Sequence, residues 1–94
     1  WFKDEEWSKI LGVPLTRIQS QTRFNHLQSL HIMQILILFN YGIEIFGNKT
    51  KFKKWLRTKN DYFENSPPQA YLESPAGVNI LYDELIKIDY GVIA

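Results

Sequence analysis

Residues 27–46 constrain this chain more than any other segment. Thirteen of the twenty side chains are apolar, and at about 100° per residue they fall on nearly every side of a helix. Leu27, Leu38 and Ile45 share one direction, Leu36 and Ile43 the opposite one, and Ile35, Phe39 and Phe46 lie between. A helix that is apolar all round is not the surface helix of a monomer, because one of its faces would be left in water. It is expected to be the central helix, part core and part homodimer seam, with Leu30, Met33, Ile37 and Tyr41 facing the second copy. Gln28, Ser29, His31, Gln34, Asn40 and Glu44 interrupt the run. It is therefore not read as a membrane span or a signal segment, and a cytoplasmic protein is expected.

Punctuation divides the rest. Pro14, Gly47-Asn48, Ser66-Pro67-Pro68, Ser74-Pro75 and Gly91 are the breaks, and between them the apolar spacing is helical, with no sustained alternation of period two. The expected fold is all-α: a compact bundle of five to six short helices around the long apolar one. Gly47 ends the long helix in the left-handed C′ role. Asn48 caps the next helix, which carries Phe52, Trp55 and Leu56 on one face. Residues 60–66 read as a turn-rich loop. Ser66 with Pro67 at the first helical position, and Ser74 with Pro75, begin two further helices. Along the last one Val78, Leu81, Leu85 and Ile88 form a line, broadened by Tyr82 and Ile86.

Catalysis is argued against by inventory. There is no cysteine, so thiol nucleophiles, disulfides and cysteine-held zinc are excluded. His26 and His31 are five residues apart and point about 140° from each other on a helix, which is wrong for a shared metal. No glycine-rich phosphate loop and no G-x-S-x-G elbow exists, and Asp4-Glu5-Glu6 and Asp83-Glu84 read as helix-surface charges. Neither a catalytic residue, nor a metal site, nor a cofactor is expected. Net charge is only +1, but residues 1–59 hold ten basic and four acidic side chains, +6, and residues 60–94 one basic and six acidic, −5. The basic excess is concentrated in Lys49, Lys51, Lys53, Lys54, Arg57 and Lys59. An anion surface is one reading; without interleaved aromatics, a solvated helix face is the simpler one.

The first 24 residues carry a helix-turn-helix-like pattern. Trp7, Ser8, Leu11-Gly12-Val13 and Ile18 occupy the apolar, small and turn positions, and Pro14 or its neighbour starts the second helix. Thr16, Arg17, Gln19 and Gln21 would face outward, toward operator DNA, although Gln21 stands where a core apolar residue is expected. The chain opens Trp1-Phe2 and its only methionine is Met33, so it is expected to be the C-terminal part of something longer.

The second half is the most specific. Phe46-Gly47, Trp55-Leu56 with Asn60 after it, Pro68-Gln69-Ala70-Tyr71-Leu72, Gly77, Leu81, Leu85, Ile88 and Asp89-Tyr90-Gly91 form one ordered series. That series resembles the toxin-binding domain of the Xre/MbcA/ParS antitoxins, closely over Phe46–Gly91 and more loosely over Glu6–Ile45. It departs at Phe52, where a small residue is usual, at Lys59, where a proline often precedes the Asn, and at Asn65, which replaces a loop glycine. Phe52 puts close helix contact at that point in question. The resemblance implies a toxin-binding domain over residues 25–94, in the antitoxin of a type II toxin–antitoxin system. Similar antitoxins occlude the active site of RES-type, NAD-consuming toxins or related ADP-ribosyltransferase-like toxins. With core and helix-end positions set aside, Asn60, Asp61, Glu64, Glu73, Asp83, Glu84, Lys87, Asp89 and Tyr90 remain to touch a toxin. The rival readings are a DNA-binding transcriptional regulator whose C-terminal helices only dimerise, and a helical scaffold for an unrelated partner.

Overall fold

A computed structural model describes residues 2–19 and 24–91. Five α-helices and two 3-10 helices make up the described chain: α1 (Asp4–Leu11), α2 (Leu15–Gln19), α3 (His26–Phe46), α4 (Lys49–Arg57), η1 (Asp61–Phe63), η2 (Pro68–Glu73) and α5 (Pro75–Asp89). No strand occurs among the described residues, and the only extended pairing there is an isolated bridge between Asn60 and Ser66.

Local chemistry fixes both ends of α3. The Asn25 side chain accepts from Gln28 N–H at 2.8 Å, and the Gln28 side chain accepts from Asn25 N–H at 3.0 Å, a reciprocal cap. Gly47, at φ 88°, closes the other end by donating to the Ile43 carbonyl. One side of α3 is buried, through His31, Ile35, Leu38, Phe39 and Gly42. The opposite side keeps Leu30, Met33 and Ile37 42%, 57% and 52% exposed. The long helix is thus wrapped on one side only by its own chain. By length and composition it could also cross a membrane, since a window of 18 residues within its 21 reaches a mean hydropathy of 1.4, which the interrupted sequence did not lead us to expect. Its buried arc is nevertheless that of a core helix: Ile35, Leu38 and Phe39 pack in one cluster with Leu56, Leu72, Val78, Leu81 and Leu85.

Asn48 caps α4, accepting from Lys51 N–H at 2.8 Å. Phe52 and Leu56 then point inward, fully buried, and Trp55 is half-buried. The close contact that Phe52 put in question is made after all, and α3 supplies the reason. A Cβ at Gly42 would stand 2.5 Å from Phe52 Cδ1 and nearer still to Cε1 and Cζ. The missing side chain on α3 is therefore the space the ring occupies, with Phe39, Phe46 and Trp55 around it at centroid separations of 5.9–6.0 Å.

Two boundaries differ from the sequence expectation. The helix expected from Ser66 starts one residue later, with Pro67 at the cap and Pro68 at the first position, and is 3-10 throughout. Ser66 is held instead by the bridge to Asn60. On α5, capped by Ser74 Oγ accepting from Gly77 N–H at 3.0 Å, Val78, Leu81 and Leu85 are buried as expected. Ile88, the last residue but one of the helix, is 36% exposed.

The N-terminal part joins the same core. Ile10 of α1 belongs to the central cluster and Trp7 packs against it. Glu6 links α1 to the rest, accepting from Arg57 Nη2 at 3.5 Å and Gln69 Nε2 at 3.4 Å. Gly12 (φ 66°) turns the chain, Ser8 Oγ donates to the Val13 carbonyl across that turn, and Pro14 O accepts from Ile18 N–H to begin α2.

Candidate functional site

Burial of Val78, Leu81 and Leu85 sets the rotation of α5 and thereby chooses which polar residues face out. At 100° per residue, Asp83, Lys87 and Tyr90 fall on the side opposite the core. Asp83 is exposed, Lys87 is half-buried, and Tyr90 is 77% exposed. This outward ridge is flanked by two aromatic groups.

On one flank, Lys87 Nζ donates to the Tyr62 hydroxyl at 2.8 Å and sits 5.3 Å from that ring's centroid. The bond to Tyr62 leads the causes that hold the Lys87 ammonium above the ordinary lysine range. Tyr62 was not foreseen, because only the folded loop brings it under Lys87. Asn60 organises that loop. Its Oδ1 accepts from Tyr62 N–H at 2.9 Å, its N–H donates to the Ser66 carbonyl, and its own carbonyl accepts from Phe63 and Asn65. Asp61 stands exposed beside Tyr62, and Glu64 is exposed one residue beyond η1 in a left-handed conformation (φ 56°).

On the other flank, Tyr41 Oη donates to Asp89 Oδ2 at 2.9 Å, and the Tyr41 and Tyr82 rings stack at 5.0 Å with an angle of 26°. Partial desolvation, followed by the hydrogen bond to Asp89, pushes the Tyr41 phenol up to about 12. Tyr41, expected on the dimer face, is thereby half-buried and committed to α5, whereas Leu30, Met33 and Ile37 remain on the open side of α3.

Two of the expected binding residues are placed differently. Glu84 is buried, at 9% exposure, and its Oε2 has no hydrogen-bond partner among the described residues. The expectation that it lies free on the polar face is corrected, because the same rotation that exposes Asp83 turns the next residue toward the core. Glu73 is exposed but belongs to another part of the surface, where it pairs with Lys9 of α1 at 3.8 Å. The gathered set is Asp61, Tyr62, Asp83, Lys87, Asp89 and Tyr90.

Thr16 and Gln19 are exposed on α2, and Arg17 belongs to the same helix; Gln21 lies outside the described residues. His31 is occupied structurally, its Nε2–H donating to the Leu72 carbonyl at 2.7 Å. Among the described residues no cluster of three or more histidine, aspartate or glutamate side chains could hold a metal ion.

A family model for the antitoxin Xre/MbcA/ParS C-terminal toxin-binding domain matches residues 42–91. The chain belongs to the Xre/MbcA/ParS antitoxin family. The matched segment runs from the last turns of α3 to the end of α5 and contains every member of the gathered set. No curated protein and no solved structure matches the chain. As an antitoxin's toxin-binding domain, this segment has a protein toxin for its partner, and its family role is regulatory. Stacked tyrosines beside exposed carboxylates suit that role. Tyrosine is enriched at protein interfaces, and a polar rim can set the register of a charged partner.

Proposed function

We propose that this antitoxin neutralises a RES-type, NAD-consuming toxin, or a related ADP-ribosyltransferase-like one, by laying the α5 ridge over the toxin's substrate entrance. The observation that carries the reading is the charge of residues 60–94, which hold one basic and six acidic side chains. Asp61, Glu64, Asp83 and Asp89 are all exposed there, within a segment of net charge −5. A site that binds NAD must offer cationic groups to a pyrophosphate. An acidic face is complementary to such a site, so opposite potentials would speed encounter and fix register. Tyr90, the most exposed large side chain on the ridge, is the anchor. The antitoxin acts in the cytoplasm as a homodimer joined across Leu30, Met33 and Ile37 of α3, because an exposed aliphatic row on a 21-residue helix is otherwise a cost.

The test is inhibition of the cognate toxin's NAD consumption by the Asp61→Lys/Asp83→Lys variant and by Tyr90→Ala. The charge-reversed protein should associate at least about tenfold more slowly at low salt and lose most of the salt dependence of association. Tyr90→Ala should raise the dissociation rate instead. Unchanged inhibition by both variants would refute the placement. Replacing Leu30, Met33 and Ile37 with lysine should give a monomer in sedimentation at micromolar concentration; a wild-type chain that is already monomeric there would refute the dimer.

A further inference from the structure

The outward face of α4 lies apart from the proposed toxin-facing surface, and the composition of its first turn runs against helix stability. Asn48 is the cap, which places Lys49 and Lys51 in the first turn. There the positive end of the helix dipole favours acidic side chains, and none is present. Lys49, Lys53 and Arg57 then repeat at i, i+4 and i+8 on a helix with no Asp or Glu, so like charges stack along one line. Arg57 is paired with Glu6 at 3.5 Å, whereas Lys51, Lys53, Lys54 and Lys59 enter no ion pair among the described residues. Phe52 and Leu56 hold the apolar side of α4 in the core, and the lysines spread around the remaining arc, Lys51 and Lys54 exposed and Lys53 half-buried. Lys51, Lys53, Lys54 and Lys59 are thus a group of cations with no acidic partner among the described residues, which suits an anionic ligand.

The chemistry of that ligand follows from what the face lacks. It is a convex helix surface of lysines, with no exposed aromatic or aliphatic side chain in Lys49–Arg57 and no carboxylate. Lysine is depleted from the cores of protein–protein interfaces, where aromatic residues are enriched. Interleaved aromatics serve to stack the bases of single strands; the phosphates of a duplex are contacted by Lys and Arg without them, positioning a protein without reading sequence. We infer that the outer face of α4, through Lys51, Lys53, Lys54 and Lys59, docks on the phosphate backbone of duplex DNA. This surface is separate from the α5 ridge and from the helix-turn-helix-like segment. It would hold the antitoxin on DNA with the acidic half still open to a toxin.

The experiment is a salt titration of binding to a fluorescent 30-base-pair duplex, comparing wild type with Lys51→Gln/Lys53→Gln/Lys54→Gln. Each neutralised phosphate contributes about 0.9 to the slope of log K against log salt, so the triple variant should flatten the slope by about 2.7. If the four lysines carried all the binding, raising salt from 50 to 200 mM would weaken the wild type about 150-fold and the variant about 3- to 4-fold. The loss should be equal on two unrelated duplex sequences. The variant with arginine at the same three positions should keep the wild-type slope. Glutamine is about as good a helix former as lysine, and circular dichroism confirms that the variants are folded. Three outcomes would overturn the inference: no measurable binding of wild type to the duplex at 50 mM salt, a slope unchanged in the glutamine variant, or a glutamine variant that keeps DNA and loses toxin inhibition. The last would make the face a contact for acidic protein.

Discussion

Substituting alanine for Gly42 tests how α3 and α4 fit together, and the sign of its effect should depend on one other residue. The new methyl would stand 2.5 Å from Phe52 Cδ1 and closer to two further ring atoms, whereas carbons pack at about 3.5–4.0 Å. The ring must retreat by about 1 Å or more, yet it is fully buried against Phe39, Phe46 and Trp55. Overpacking of this kind costs about 1–3 kcal/mol, and the gain in helix propensity from Gly to Ala returns only about 1 kcal/mol. Gly42→Ala should therefore destabilise the wild type by up to about 2 kcal/mol, or up to roughly 15 °C in Tm for a domain of this size. In a Phe52→Ala background the obstruction is gone. Gly42→Ala should then stabilise by about 1 kcal/mol, although Phe52→Ala alone costs about 3–5 kcal/mol. Urea unfolding followed by circular dichroism at one fixed protein concentration gives all four corners of the cycle. The same sign and size in both backgrounds would show that the ring and the glycine do not share the space.

Two further outcomes follow from the buried and partly desolvated polar groups. Tyr41 has its folded-state pKa raised to about 12 from 10.0, so its contribution to stability is complete below pH 10 and is lost as pH rises from about 10 to about 12. The difference in urea midpoint between wild type and Tyr41→Phe should shrink over that window, and a difference that is constant with pH would contradict it. His31→Leu leaves the buried Leu72 carbonyl without its donor and should cost about 1–3 kcal/mol. His31→Gln, which restores a donor, should recover part of that loss, and equal stabilities for the two variants would show that the bond contributes nothing.

What the sequence makes legible here is local. Gly47, Asn48 and Ser74 end or start helices through their own backbone freedom or a side-chain oxygen reaching two or three residues along, so their roles are visible in a short window. The same is true of the all-helical class, which follows from apolar spacing between proline and glycine breaks. Face and neighbour are different. Residues 27–46 are apolar all round, so their spacing alone does not choose the buried side; packing against α5 and α4 does. Glu84 looks like any acidic residue on a helix until the burial of Leu81 and Leu85 fixes the rotation that turns it inward. Tyr62 is 25 residues from Lys87, and the match between Phe52 and Gly42 spans two helices. Such pairs exist only in the folded chain. Pro67-Pro68 offers two possible starts one residue apart, and the bridge from Ser66 to Asn60 selects the later one.

The central claim is that this chain covers a toxin, and the most direct measurement of it is NAD turnover by the proposed RES-type toxin as the 94-residue chain is titrated in. The predicted result is a stoichiometric fall to no activity, weakened by Asp61→Lys/Asp83→Lys and by Tyr90→Ala and untouched by the glutamine substitutions on α4. A toxin that goes on consuming NAD at its full rate in excess antitoxin would contradict it.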